Sequence, residues 1–299
     1  MPEGPEVRKY ADALDSALRA RLIITVEART RDARHWLQEH GDYLVGRRVL
    51  RVVSHGKHLI GYIHGGFYFH SHLMMWGRWQ TVTGEAPREK DRRERARIVV
   101  NSGAAILFSA PIFNVGKGDP YEQIDNLGSL GPDVLPYNRK FNKREFLRRL
   151  LAPGHVELTI GAALLYQRIL AGLGNYLRAE VLFSCQINPW RMVSELTKKE
   201  LECLSRTAPE LSRRAYEFSA TASEEDRKRM SAEPTLVYQP GREYGTRHLV
   251  FRRTNLPCLR CGERIKQLRQ PTHNSPENEN DEERTRIVYF CPRCQGVGQ

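Results

Sequence analysis

The sequence predicts a multi-domain α+β chain that opens with a β-sandwich or barrel flanked by one helix, then turns helical, and closes on a β-rich segment bearing paired cysteines. Three observations carry that reading. Residues 21–110 hold short β-branched or aromatic runs separated by Gly, His or charged residues, the pattern of successive antiparallel strands. Beyond residue 140 the apolar residues gather into helical stretches. The last fifty residues hold two C-x-x-C pairs. A chain of 299 residues can bury more than one core.

Taken in order, residues 6–20 read as an amphipathic helix, with Val7, Ala11, Leu14 and Leu18 on one stripe. The strand runs are "LIITVEA", "RRVLRVVSH", "HLIGYIH", "GGFYFHSHL", "ARIVVNS" and "AAILFSA", and the polar stretch 84–96 connects two of them. Residues 114–140 are rich in Gly and Pro without a period, and read as a linker or hinge. "NKREFLRRLLA" predicts a short helix capped by Asn142. "TIGAALLYQRIL" and "NYLRAEVLFSC" predict two apolar helices split by "AGLG". A further helix starts at Thr197, and Pro209 is expected to break it near Ala208. Residues 219–247 read as a mobile polar loop.

Composition narrows the function. Hydrophobic content of 40% and a mean hydropathy of −0.55 suit a soluble protein, and no apolar run reaches the length of a membrane span. The first 20 residues lack the apolar core of a secretory signal. A net charge of +12 and a pI of 9.6 favour polyanionic partners, nucleic acid first. Trp76, Trp79, Tyr238 and Tyr244 lie among the basic residues. Four cysteines fall in pairs while Cys185 and Cys203 stand alone, which suits a metal site and a reducing, cytoplasmic compartment.

"CLRC" (258–261) and "CPRC" (291–294) can place four thiolates tetrahedrally about a zinc ion, Cys258, Cys261, Cys291 and Cys294 being the ligands. Two disulfides or four unrelated thiols are the alternatives. The 29 intervening residues exceed the usual spacing because "QPTHNSPENENDE" (270–282) inserts an acidic, disordered tip between "ERIKQLR" and "RTRIVYF", which would pair as a hairpin. In "AGLGNYLRAE" two glycines precede Asn175, a phosphate-binding helix start or an ordinary helix hairpin. Lys57 follows a glycine in "SHGKHL". Met74, Met75 and Trp76 follow a strand, as core residues or as apolar wedges for a base stack.

The opening "MPEGPE" raises a chemical reading. Once Met1 is removed, Pro2 is a secondary amine whose pKa class, near 8, leaves it neutral far more often than a lysine. Such an amine can displace a base from a deoxyribose and form an iminium. Glu3 beside it can protonate the sugar ring oxygen.

"PEGPEVRKYADAL", "GK" at 56–57, "GPDVL", "AGLGNYLRAEVLF" and "CxRCG…YFCPRCQ" occur in order across almost the whole chain. Together they resemble the formamidopyrimidine-DNA glycosylase and endonuclease VIII family of base-excision repair, nearest its endonuclease VIII branch. The resemblance implies a two-sheet sandwich (1–115), a hinge (116–140), a helix-two-turn-helix DNA-binding domain (141–247) and a zinc hairpin (248–299). It implies a monomer that binds damaged double-stranded DNA between domains, with one structural Zn²⁺. It further implies Pro2 as Schiff-base nucleophile, Glu3 as proton donor, Lys57 as a phosphate contact assisting β-elimination, Asn175 as a phosphate contact, Arg286 as a phosphate grip assisting δ-elimination, Glu6 in support, and Met74 and Met75 as void fillers. "PEGPE", the missing lysine in "TIGAALLYQ" and the missing basic wedge in "APIFN" favour oxidised pyrimidines over 8-oxoguanine. Tyr166, Ser129, the Met-Met-Trp set and the acidic insertion depart from the family pattern. The alternatives are the purine-specific branch and a zinc-containing lesion-binding protein without catalysis.

Overall fold

A computed structural model describes residues 2–85, 87, 89, 91–237, 245–272 and 285–298. Met1, Tyr238, Tyr244 and most of the acidic insertion therefore lie outside the described residues, as do parts of the 84–96 stretch and of the 219–247 stretch. The chain forms two compact units, Met1–Leu130 and Gly131–Gln299.

In the first unit, helix α1 (Gly4–Leu18) buries the predicted stripe of Val7, Ala11, Leu14 and Leu18. Strands β1 (Ile23–Ala28), β2 (Val49–His55), β3 (His58–Ile63), β4 (Phe67–His72), β5 (Arg78–Thr83), β6 (Glu94–Val100), β7 (Gly103–Phe108) and β8 (Ile112–Lys117) build two antiparallel sheets. Their orders are β1-β6-β7-β5 and β2-β3-β4-β8. Strands β5 and β8 lie outside the six strand runs that the sequence predicts. Helix α2 (Arg31–His40) likewise lies outside the predicted helices: it is a polar surface helix that buries only Ala33 and so shows no wide apolar stripe.

The two sheets meet through aromatic side chains. Phe69 of β4, Trp79 of β5 and Phe113 of β8 have ring centroids 6.1–6.3 Å apart. Trp79 Nε1 donates to Ser71 Oγ at 3.0 Å, satisfying the indole inside the core. Gly61 makes room for this cluster: a Cβ there would sit 2.0 Å from the Phe69 ring. The region read as a linker begins inside β8 and contains a single helical turn, α3 (Pro120–Gln123), capped by Asp119.

The second unit is built on helices α4 (Lys143–Leu150), α5 (Ile160–Ala163), α6 (Asn175–Ser184), α7 (Lys198–Phe218) and α8 (Glu224–Ala232), followed by the hairpin β9 (Lys266–Pro271) and β10 (Thr285–Phe290). Asn142 caps α4, accepting from Glu145 N at 3.0 Å. Four expectations need correction here. "TIGAALLYQRIL" is helical only over Ile160–Ala163. Pro209 does not break α7, which starts from a Thr197–Glu200 capping box and runs on because Leu204, Ala208, Leu211 and Ala215 bury one face across the proline. The proline removes one backbone donor, a cost that this packing offsets. Residues 224–232 are helical: Ser223 Oγ accepts from Asp226 N at 3.0 Å and Met230 is buried. The final segment is less β-rich than expected, its strands among the described residues being β9 and β10, and Gln270 belongs to β9 and is buried. Among the described residues no helix is long and apolar enough to cross a membrane.

Candidate active site

Pro2 precedes α1 and is half-buried, while Glu3, the N-cap residue, is only 2% exposed. Glu6 Oε2 accepts from Glu3 N at 2.8 Å, which fixes the first turn of the helix. Lys57 sits in the two-residue turn Gly56–Lys57 between β2 and β3, with Gly56 at φ +56°. These residues lie at one end of the first unit. Ala20 N bonds Val49 O and Val52 N donates to Asp15 Oδ1, so α1 runs antiparallel to β2. From Asp15 back to Gly4 the helix rises about 17 Å. From Val52 on to Lys57 the strand advances about 17 Å. The N-terminal turn of α1 and the Lys57 turn thus reach the same edge.

The loop after β4 presents Met74, Met75 and Trp76, which are 44%, 56% and 78% exposed. They are not core residues. Met74 adopts φ +51°, and Gly77 N closes the loop on Leu73 O at 2.8 Å. A Cβ at Gly77 would lie 2.4 Å from that carbonyl, so the turn requires glycine. Three large apolar side chains held out on a tight turn can enter a gap in a base stack.

A histidine cluster that sequence reasoning missed lies beside Lys57. Cross-strand pairing sets His55 opposite His58, His58 opposite His72, and His70 opposite Asn114, all on one face of the second sheet. His58 Nδ1 is 2.9 Å from His70 Nε2, and Asn114 Nδ2 donates to His70 Nδ1 at 3.2 Å. Met74 N donates to His72 Nδ1 at 3.2 Å. Burial, first, and neighbouring positive charge hold these rings neutral: His70 is lowered to about 3, His72 to about 4, and His58 well below its usual value. The alternation in "FHSHL" was the available signal, since residues two apart on a strand share a face.

In the second unit, Asn175 is the first residue of α6, after the N-cap Gly174. Its Oδ1 accepts from Arg178 Nη2 at 2.6 Å, so its amide nitrogen is the group it can offer outward. Arg178 is fully buried and also donates to Ile287 O of β10 at 2.9 Å and Gly161 O at 3.2 Å. That guanidinium ties the start of α6 to the strand carrying Arg286, which is exposed and paired with Gln270. Arg178 and Glu180 set among the apolar residues of α6 were the sequence signal for it. Glu180, also buried, accepts from Leu249 N, Val250 N and Phe251 N at 2.8–2.9 Å and holds the segment leading to the first cysteine pair.

Cys258, Cys261, Cys291 and Cys294 have their sulfurs within 4.8 Å of one another and form no disulfide. Burial pushes the Cys291 thiol up strongly and Cys294 to about 11. Four crowded sulfurs of this kind ionise together only around a cation, and the cluster can hold a metal ion. The reading of Cys185 and Cys203 as solitary is corrected: they are joined by a disulfide with Cα atoms 5.8 Å apart. Packing of α6 on α7 brings the two together across 18 residues of sequence, which the sequence pattern does not reveal.

Comparison with known proteins bears on the family and the fold. The formamidopyrimidine-DNA glycosylase N-terminal domain matches residues 1–111, and the formamidopyrimidine-DNA glycosylase H2TH domain matches residues 130–226. Endonuclease 8 of Pectobacterium atrosepticum is 31% identical over 298 residues, covering 99% of this chain and all of the relative. Endonuclease 8 of Salmonella arizonae is 30% identical over 296 residues with the same coverage. Among solved structures, Lactococcus lactis Fpg in complex with DNA containing an abasic site superposes with a TM-score of 0.74 at 24% identity, covering 98% of this chain and 99% of that one. MutM in complex with DNA containing carbocyclic 8-oxo-G gives a TM-score of 0.74 at 23% identity, with the same coverage. These two likenesses establish the fold.

Proposed function

The chain belongs to the formamidopyrimidine-DNA glycosylase and endonuclease VIII family, and we propose that Pro2, Glu3 and Lys57 are the residues that carry its chemistry. It is a DNA glycosylase with AP lyase activity in base-excision repair. The observation that supports the residue assignment is that the antiparallel run of α1 and β2 carries the α1 N-terminus and the Gly56–Lys57 turn to the same edge of the first unit.

In this reading the Pro2 nitrogen, freed by loss of Met1, attacks C1′ of the damaged nucleotide. The glycosidic bond breaks, and the base leaves with its electrons and takes up the proton released from the Pro2 nitrogen. Glu3 protonates the sugar ring oxygen as the ring opens, leaving an iminium between C1′ and Pro2. The iminium acidifies the C2′ hydrogen. Loss of that proton expels the 3′ phosphate, with Lys57 against the phosphate. A second elimination expels the 5′ phosphate, with Arg286 gripping it. Glu6 keeps Glu3 in place, Asn175 donates to a backbone phosphate, and Met74 and Met75 fill the space left by the flipped nucleotide. The substrates are oxidised pyrimidines in duplex DNA.

The four-sulfur cluster is read as a structural zinc site, closed by Cys258, Cys261, Cys291 and Cys294, since an all-thiolate tetrahedral set suits Zn²⁺. Its role is to shape the hairpin bearing Arg286, and no catalytic step passes through it. The domain division is carried forward as part of the same proposal: a catalytic sandwich to about residue 115, a hinge, the helical DNA-binding domain from 141 and the zinc hairpin from 248.

The test is borohydride trapping on duplexes bearing an abasic site, thymine glycol or 8-oxoguanine, with the adduct mapped by mass spectrometry. A covalent adduct on the Pro2 nitrogen is expected, along with faster base release from thymine glycol than from 8-oxoguanine. An adduct that persists when the Pro2 nitrogen is blocked by a retained N-terminal residue overturns the assignment.

A further inference from the structure

The histidine cluster beside Lys57 has a hydrogen-bond direction that can be worked out atom by atom. An amide nitrogen only donates, so Asn114 Nδ2 must give a proton to His70 Nδ1. That nitrogen is then bare, and the proton of the His70 ring sits on Nε2. His70 Nε2 is 2.9 Å from His58 Nδ1 and donates to it. His58 Nδ1 is therefore also bare, and its proton is on Nε2. The same reasoning applied to Met74 N and His72 Nδ1 gives His72 the Nε2–H form. All three rings share one tautomer, which for His70 and His58 is set by a chain that runs from β8 through β4 to the residue after Lys57 and for His72 by the Met74 amide.

We propose that the Asn114–His70–His58 chain is a positioning device that locks the β2–β3 turn and so holds Lys57 in place for strand scission. This rests on the assignment of Lys57 made above. The geometry gives the device its rigidity. His70 is 1% exposed, and its ring stacks on His58 at a centroid distance of 5.2 Å and an interplanar angle of 22°. His72 meets the His58 ring edge-on at 4.8 Å. His55, on the other side of the turn, is 3.1 Å from the Tyr121 hydroxyl through Nδ1. The charged and titratable groups facing His58 are His55, Lys57, His70 and His72. A proton added at His58 Nδ1 would set two N–H groups against each other and place a second cation beside the Lys57 ammonium. Burial opposes that charge, so the turn keeps one arrangement across the neutral range.

The experiment measures single-turnover scission of a duplex bearing one abasic site, together with the borohydride-trapped yield and the melting temperature. His58→Phe keeps a ring but removes the acceptor. It is expected to slow scission by about 10- to 100-fold, the effect of a small misplacement, while the trapped yield is unchanged. His58→Asn restores an acceptor at the Nδ1 position and is expected to recover most of the rate. A purely structural role would not separate these two variants. A folded His58→Phe enzyme that cuts at the wild-type rate overturns the proposal, as does His58→Asn cutting no faster than His58→Phe. Should His58→Phe fail to fold, Asn114→Ala on the edge strand β8 carries the test. It is expected to slow scission without loss of trapping, and an unchanged rate overturns the device. Lys57→Ala separates the two levels of the argument. If it is slow while a folded His58→Phe is fast, the positioning device alone fails; if it cuts at full rate, the role of Lys57 fails and that of the device with it.

Discussion

Arg178 Nη2 lies 2.6 Å from Asn175 Oδ1, and the same nitrogen donates to Ile287 O at 2.9 Å. One buried guanidinium therefore orients the side chain at the start of α6 and anchors the strand next to Arg286. Replacing Arg178 with Met would strand the Gly161 and Ile287 carbonyls in the interior. Each such loss costs about 1–3 kcal/mol, so urea unfolding should show destabilisation of roughly 3 kcal/mol. Lysine should not rescue it, because a single ammonium cannot reproduce the fork. DNA affinity at fixed salt should fall, and to the extent expected for Asn175→Ala if Asn175 contacts a backbone phosphate as proposed. An Arg178→Met protein of unchanged stability and affinity would refute this linkage.

Acid should destabilise the first unit through the neutral histidines. In the unfolded chain a histidine titrates near 6.5. In the fold His72 titrates at about 4 and His70 at about 3, lowered chiefly by burial. Below pH 6.5 the unfolded chain takes up protons that the folded rings refuse, so stability falls as pH drops towards 4 and 3. Above 6.5 both states are neutral and this contribution is flat. The slope is at most about 1.4 kcal/mol per pH unit for each ring. Urea midpoints at pH 7, 6 and 5 measure it, and His70→Gln should flatten the curve by one ring's share.

Much of this molecule could be read from its residues, and the gaps have physical causes. The α1 stripe, six strand runs, the Asn142 and Thr197 caps and the cysteine hairpin follow from local periodicity and capping chemistry. Pro2 and Glu3 stood out as candidates through chain position and amine chemistry, whereas Lys57 was singled out by the family resemblance, since a lone lysine after a glycine otherwise reads as a surface residue. The histidine cluster was legible only in part: alternation in "FHSHL" puts His70 and His72 on one face, but their meeting with His58 and Asn114 depends on register between β3, β4 and β8. Helix α7 outlasts Pro209 because tertiary burial outweighs one lost backbone bond. The Cys185–Cys203 bridge depends on helix packing, which no local pattern encodes.

The exposed loop and the core beside it should respond oppositely to truncation. Met75 is 56% exposed, so Met75→Ala should change stability by no more than about 0.5 kcal/mol. It should nonetheless lower base removal from a damaged duplex, where the side chain would fill the gap. Phe69, 1% exposed and stacked between the sheets, should lose about 3–5 kcal/mol as Phe69→Ala. Paired melting and glycosylase assays on the two variants check both halves. A Met75→Ala enzyme with full activity on a damaged duplex would remove the loop from the mechanism.

Glu3→Gln should separate the two activities. In the proposed mechanism base removal takes a proton from Glu3 onto the sugar ring oxygen, which glutamine cannot supply. An abasic sugar already opens to an aldehyde and condenses with an amine without that proton. Glu3→Gln should therefore lose base release from thymine glycol by about 100- to 10,000-fold, the usual weight of a general acid. It should still give a borohydride adduct on abasic DNA. Equal loss of both activities would point instead to a disturbed α1 N-terminus, because Glu3 also caps that helix.

Metal removal should act on the hairpin and not on the amine chemistry. With the cation bound, four thiolates share one cation; without it, burial favours protonated Cys291 and Cys294 and the cluster loses its reason to stay closed. Elemental analysis should find one zinc per chain. A thiol reagent applied to unfolded, chelated protein without reductant should count four reactive cysteines, because Cys185 and Cys203 are bridged. Chelation or Cys291→Ser should lower the melting temperature and weaken duplex binding, since Arg286 sits on β10 only a few residues from Cys291. The Pro2 adduct on abasic DNA should persist at raised protein concentration, because Pro2, Glu3 and Lys57 all belong to the first unit. Loss of the adduct even at saturating protein would mean that the cysteine cluster supports the first unit as well as the hairpin.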